Sequence, residues 1–167
     1  MKRHSSSGFS LIEVLMVIAI SLVLAGIAIP GFMNALKSYN QSATVSAVTG
    51  AIESTRFLAI MRGYPYQMVF TASTLSFEVY NEIPPATTFS VVVPAQGSAI
   101  TPLPNAGGVA MHGAATFTYT FCPNGTVFGA ATACPGSAMP PSMQISNSVK
   151  SNTITVSGVG NVSTSIP

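Results

Sequence analysis

Gly8-Phe9-Ser10-Leu11-Ile12-Glu13-Val14-Leu15 opens an apolar run that continues to Pro30. Between Phe9 and Ile29 the sole ionisable residue is Glu13. A helix of this length is roughly 30 Å long at about 1.5 Å per residue, enough to span the hydrocarbon core of a bilayer. A carboxylate at mid-membrane costs about 2.5–3.5 kcal/mol on insertion scales, and less near the interface. A plain anchor has no use for that cost, so Glu13 reads as a functional residue. The competing reading is a single-pass anchor in which Gly-Phe occurs by chance.

A short basic leader, Met1-Lys2-Arg3-His4-Ser5-Ser6-Ser7, precedes Gly8. With this leader, the N-terminus resembles that of class III signal-peptide proteins, the type IV pilins and type II secretion pseudopilins. Gly8 matches the residue before the prepilin-peptidase cut. Phe9 matches the new N-terminus, which the same enzyme methylates. Glu13 matches the acid near the start of the mature chain, and Pro30 the helix-loosening proline of many members. The resemblance implies that residues 1–8 leave as a leader and that the helix stays with the mature protein. It also implies that Glu13 pairs with the free α-amine of a Phe9, most often on a neighbouring subunit. In low dielectric such a pair offsets its desolvation only when both partners are present. Assembly would then depend on prior cleavage, which creates the amine.

Charge sets orientation and excludes some partners. Lys2 and Arg3 stand immediately before the span, which places the N-terminus in the cytoplasm and exports the rest. Without those two, four basic residues face four acidic ones (6 − 2 = 4 against 4), and there is no Asp. A neutral mature chain has no basic face for phosphate, so nucleic acid is not an expected partner. The charged fraction of 6% is far below the usual ~25%. The surface must be largely Ser, Thr, Asn, Gln and Gly, which suits an exported assembly subunit packed among neighbours.

Four segments follow: a leader at 1–8, a membrane and assembly half-helix at 9–33, an amphipathic half-helix at 34–63, and an antiparallel β domain at 64–167. Gly26 and Pro30 weaken the first half-helix near its exit, since Pro lacks a backbone donor and crowds the preceding turn. In the second half, Leu36, Tyr39, Ala43 and Ala47, then Val48, Ile52, Thr55 and Ala59, recur at helical spacing. Lys37, Gln41, Glu53, Arg56 and Arg62 lie mostly off that stripe, which is read as a face buried on the domain's own sheet. Gly63 followed by Tyr64-Pro65 ends the helix. Strands are expected at 66–70, 74–80, 88–93, 116–122, 126–128, 143–145 and 153–156, with a last short segment around Val162. In the second, Leu75, Phe77 and Val79 share one face. In the fourth, Phe117, Tyr119 and Phe121 point inward and Thr116, Thr118 and Thr120 outward. Residues 94–108 read as loop, and Asn124-Gly125 as a turn.

One helix followed only by strands gives an α+β fold, with a long helix laid on antiparallel sheet. Three further stretches resemble the GspH/FimT/FimU group of minor pseudopilins and minor pilins. They are the helix end around Ser54-Thr55-Arg56-Phe57, Phe121-Cys122-Pro123-Asn124-Gly125-Thr126-Val127, and the ending Ile154 to Val162. This second resemblance implies a minor subunit with two β-sheets. The chain departs from the group at its tail: Gly160-Asn161-Val162 stands where members often carry Gly-Arg-Val. The tail arginines through which some FimT-like members bind DNA are absent, which argues against DNA uptake.

Cys122 and Cys134 are the two cysteines, both in the exported part. An even count in an oxidising compartment argues for a disulfide; a metal site or a reactive thiol are the alternatives, and the lack of a His cluster disfavours zinc. His112 is read as a solvated loop histidine. Glu78 and Glu82 fall on a strand and its exit, without the spacing of an acid pair. No catalytic residue, phosphate loop, metal site or cofactor motif is expected. The reading is a non-enzymatic structural subunit. It is processed by prepilin peptidase, held in the inner membrane by one span, and then assembled with other pilin subunits in a cell-surface or periplasmic filament. A major pilin, or a tip adhesion or DNA-uptake module, is the alternative.

Overall fold

The computed structural model describes residues 9–92, 100–104, 108–130 and 134–166. It begins with one helix, α1 (Leu11–Arg62), of 52 residues. The Ser10 carbonyl starts it, accepting the Glu13 and Val14 N–H groups at 3.0 and 3.2 Å. Gly63 ends it: its φ of 74° is left-handed, and its N–H returns to the Ala59 carbonyl at 3.1 Å. That geometry favours glycine, the only residue without a Cβ to crowd the carbonyl.

The chain divides into two compact units between Leu36 and Lys37. In the first, every residue of the helix is exposed and apolar except for Glu13, Ser21 and Asn34. Ser21 Oγ turns back onto the Val17 carbonyl at 2.7 Å, which hides its donor within the helix. Pro30 lies inside the helix, so the Gly26 carbonyl four residues back has no N–H partner from it.

In the second unit, ten strands follow the helix among the described residues: β1 (Tyr66–Thr71), β2 (Ser76–Asn81), β3 (Ser90–Val91), β4 (Ile100–Pro102), β5 (Ala110–His112), β6 (Thr116–Phe121), β7 (Val127–Phe128), β8 (Met143–Ser146), β9 (Ser151–Val156) and β10 (Val162–Ser165). One sheet has the order β3-β2-β1-β6-β7, with β4 also on the outer side of β2; the other has the order β10-β9-β8-β5. All pairings are antiparallel. The central register puts Met68 opposite Val79 and Tyr119, and Phe70 opposite Phe77 and Phe117. Because side chains alternate between faces, this aligns the apolar residues of three strands on one side. There they meet Val48, Ile52 and Ala59 of α1, and Met143, Ile145, Ile154 and Val156 of the second sheet, in one core. Phe70 meets Tyr119 edge-on with ring centroids 6.0 Å apart, a favoured aromatic geometry.

The buried stripe of α1 differs from the expected one. It runs Gln41, Thr44, Val48, Ile52, Thr55 and Ala59. Leu36 and Tyr39 are exposed, while Gln41 has no exposed surface. The burial of Gln41 is offset at its amide nitrogen, which donates to the Ile145 carbonyl and to Asn152 Oδ1, both at 3.0 Å, while its Oε1 has no partner among the described residues. A polar group enters a core when its hydrogen bonds are supplied there. Thr44 and Thr55 do so by returning their hydroxyls to the carbonyls of Asn40 and Ala51.

Several strand expectations also need correction. Leu75 belongs to the tight turn before β2, with φ of 47°, and is buried from there. The β-branched run at 88–93 forms a pairing of only two residues, Ser90 and Val91. Of the loop read at 94–108, Ile100–Pro102 pairs with β2, while 93–99 and 105–107 lie outside the described residues. His112 sits at the end of β5 opposite Gln144 instead of in a loop, and is exposed as expected. Thr120, expected outward, is fully buried on β6.

Candidate functional site

The candidate assembly site is built by the first turns of α1. Ser10 stands at the N-cap and Glu13 three residues on, the spacing of a capping box. The unpaired N–H groups and the positive end of the helix dipole favour a carboxylate there. Helical periodicity then sets Phe9, Glu13, Val14, Val17 and Ile18 around one shallow, otherwise apolar cleft. Phe9 is 83% exposed. Glu13 is thus the polar point on a face of hydrocarbon, one turn from the residue whose α-amine cleavage would free. Gly8, the expected cleavage residue, lies outside the described residues, as does the rest of 1–8.

Cys122 and Cys134 are bonded, 12 residues apart with Cα atoms 5.7 Å apart. Cys122 is buried directly after β6, and its N–H and carbonyl close the following turn onto Thr126 and Gly125 at 2.9 Å each. Asn124 Oδ1 accepts from the Thr126 N–H at 3.1 Å, the turn-building role for which Asn is suited. The Tyr119 hydroxyl donates to the Pro141 carbonyl at 2.8 Å, and burial raises its pKa well above the ordinary value of 10.0. On the outer part of β2, the Tyr80 hydroxyl donates to Glu78 at 2.8 Å; that bond, then burial, raises the tyrosine pKa. Among the described residues, no group of three or more His, Cys, Asp or Glu could hold a metal ion.

The family model described as the prokaryotic N-terminal methylation motif matches residues 3–29. The crystal structure of the Pseudomonas aeruginosa type IV minor pilin FimU aligns with a TM-score of 0.54, covering 78% of this chain and 93% of that one, at 13% identity. The chain carries the prepilin-type N-terminal motif, and its fold is pilin-like. No curated protein matches the chain. The match to the motif covers the cleft at Phe9 and Glu13, and the match to the solved structure is one of fold.

Two residues important to this pilin-like fold escaped the sequence reading. Gln41 was set aside as polar, yet it is the buried anchor between helix and second sheet. Arg56 was placed off the buried stripe, yet its guanidinium reaches main-chain carbonyls of two separate turns. One signal was available for Arg56: glycines at 125 and 160 each follow an Asn or a Gly-Val in turn-like sequence, which marks backbone that some neighbour approaches closely.

Proposed function

We propose that the chain is a minor pilin or pseudopilin, a structural subunit without enzymatic activity. Prepilin peptidase cleaves it between Gly8 and Phe9 and methylates Phe9. It then assembles through its N-terminal helix, with other pilin subunits, into a type IV pilus or a type II secretion pseudopilus, at initiation or at the tip. The observation that supports this reading is the exposed apolar helix of the first unit, interrupted by one carboxylate in its first turn. Its apolar window is long enough to cross a membrane and wholly unburied within the subunit. So large an apolar surface is stable in lipid, or among identical surfaces of neighbouring subunits, and not in water. Within either environment an unpaired carboxylate is costly, and an α-amine from a neighbour would neutralise it.

Glu13→Val tests the proposal. The variant should insert into the inner membrane at normal levels, since a cost is removed. Its incorporation into sheared filaments should fall by roughly tenfold or more, because the partner amine is left buried and unpaired. Normal incorporation of the variant would contradict the proposed role of Glu13.

A further inference from the structure

Arg56 sits on α1 between buried Thr55 and Ala59, and its planar fork reaches one turn from each sheet. Nε donates to the Gly125 carbonyl at 3.0 Å, and Nη2 donates to the Val159 carbonyl at 2.9 Å. Gly125 lies in the β6–β7 turn of the first sheet, which is closed on Cys122 by the Gly125 N–H to Cys122 carbonyl bond of 2.9 Å. Val159 lies in the β9–β10 turn of the second, closed by the Gly160 N–H to Ser157 carbonyl bond of 2.8 Å. Both turns have left-handed glycines, with φ of 83° at Gly125 and 84° at Gly160. At Gly160 a second demand is added: a Cβ there would run into Arg56 Nε, Cζ and Cδ. At Gly125 a Cβ would press on Arg56 Nη2 and Ile60 Cδ1, each at 3.4 Å. The first residue of β7 also bonds the second turn directly, the Val127 N–H donating to the Gly158 carbonyl at 2.9 Å.

We infer that Arg56 is a positioning residue that locks the disulfide-bearing β6–β7 turn and the C-terminal β9–β10 hairpin to one point on the helix, so that breaking the Cys122–Cys134 bond loosens the β10 edge. Charge-assisted bonds to two carbonyls hold both turns at once, and the rigid guanidinium fixes their relative position. The strand at stake is an outer one. β10 pairs only with β9 in its sheet, and Ser163, Thr164 and Ser165 are exposed. An outer strand with one partner depends on its turn for its position more than a central strand does.

Amide hydrogen exchange of the full-length protein in detergent micelles tests the inference, read at 157–165 with β1 as the internal reference. Arg56→Gln should accelerate exchange in the hairpin by roughly tenfold, the scale of lost charged hydrogen bonds, and leave β1 unchanged. Arg56→Lys should not restore protection, since a single ammonium cannot reproduce the fork. Gly160→Ala, with Arg56 intact, should loosen the same hairpin by displacing the guanidinium. The Cys122→Ser/Cys134→Ser pair should accelerate the hairpin when Arg56 is present, and add much less in the Arg56→Gln background, because coupled sites are not additive. The inference is overturned if Arg56→Gln leaves the hairpin as protected as before, or loosens β1 equally. It is also overturned if Gly160→Ala changes nothing, or if the Arg56 and cysteine effects multiply independently.

Discussion

Gln41 binds two acceptors without touching water, so its loss is felt at both. Gln41→Leu leaves buried Asn152 Oδ1 without its Gln41 donor and takes one donor from the Ile145 carbonyl, partly offset by removal of the partnerless Oε1, and should destabilise the second unit by about 1–2 kcal/mol. Urea unfolding of the full-length protein in micelles, followed by tyrosine fluorescence, would show this as a lower midpoint; an unchanged midpoint would mean that the pocket relaxes around leucine. Tyr119 gives a pH signature. Its pKa is raised in the folded state by burial, from the ordinary value of 10.0. Below pH 10 both states keep the proton and stability is unaffected. Above it the unfolded chain releases the proton first, so stability must fall as pH rises towards the folded value. Tyr119→Phe should flatten that alkaline slope; a slope unchanged in the variant would assign it to other groups. At this scale Glu13 was legible because a charge inside hydrocarbon stands out from the sequence itself. Gln41 and Arg56 were not, because a polar side chain is buried or exposed according to which distant carbonyls face it.

Elements were legible where a local rule governs them. Gly63 stops α1, and the alternation of Phe117, Tyr119 and Phe121 writes β6, because helix ends and half-buried strands carry their own periodicity and turn chemistry. The three-residue strands β4 and β5 were illegible, since each exists by pairing with a longer strand and its own residues show no period. The disulfide acts at this scale too. Removing it with Cys122→Ser/Cys134→Ser should cost about 3 kcal/mol on loop-closure grounds, seen as a lower urea midpoint; an unaffected midpoint would make the bond irrelevant to stability. In α1, Pro30 has no N–H with which to give the Gly26 carbonyl its usual helical hydrogen bond. Pro30→Ala should restore that bond and slow amide exchange over residues 26–31 by roughly tenfold. Exchange as fast as in the unaltered protein would show that Gly26 and Gly31, not Pro30, weaken the helix there.

For the whole molecule, the split at Leu36/Lys37 follows from solvent. Up to Leu36 the helix has apolar residues on every side and no core of its own, as a segment built for lipid or for a bundle of its own kind. From Lys37 onward the same helix is one-sided and covers a core shared by two sheets. The fold class could be read from sequence because one helix followed by strands has few solutions. The order of strands within each sheet could not, since it rests on pairings between residues far apart in the chain. The N-terminal peptide of the mature protein, read by mass spectrometry from sheared filaments, tests the central claim most directly. The account predicts a chain that starts at an N-methylated Phe9, with residues 1–8 gone and Glu13 in place. A filament subunit that still carries Met1 to Gly8, or a protein found only in the membrane with its leader intact, would contradict it.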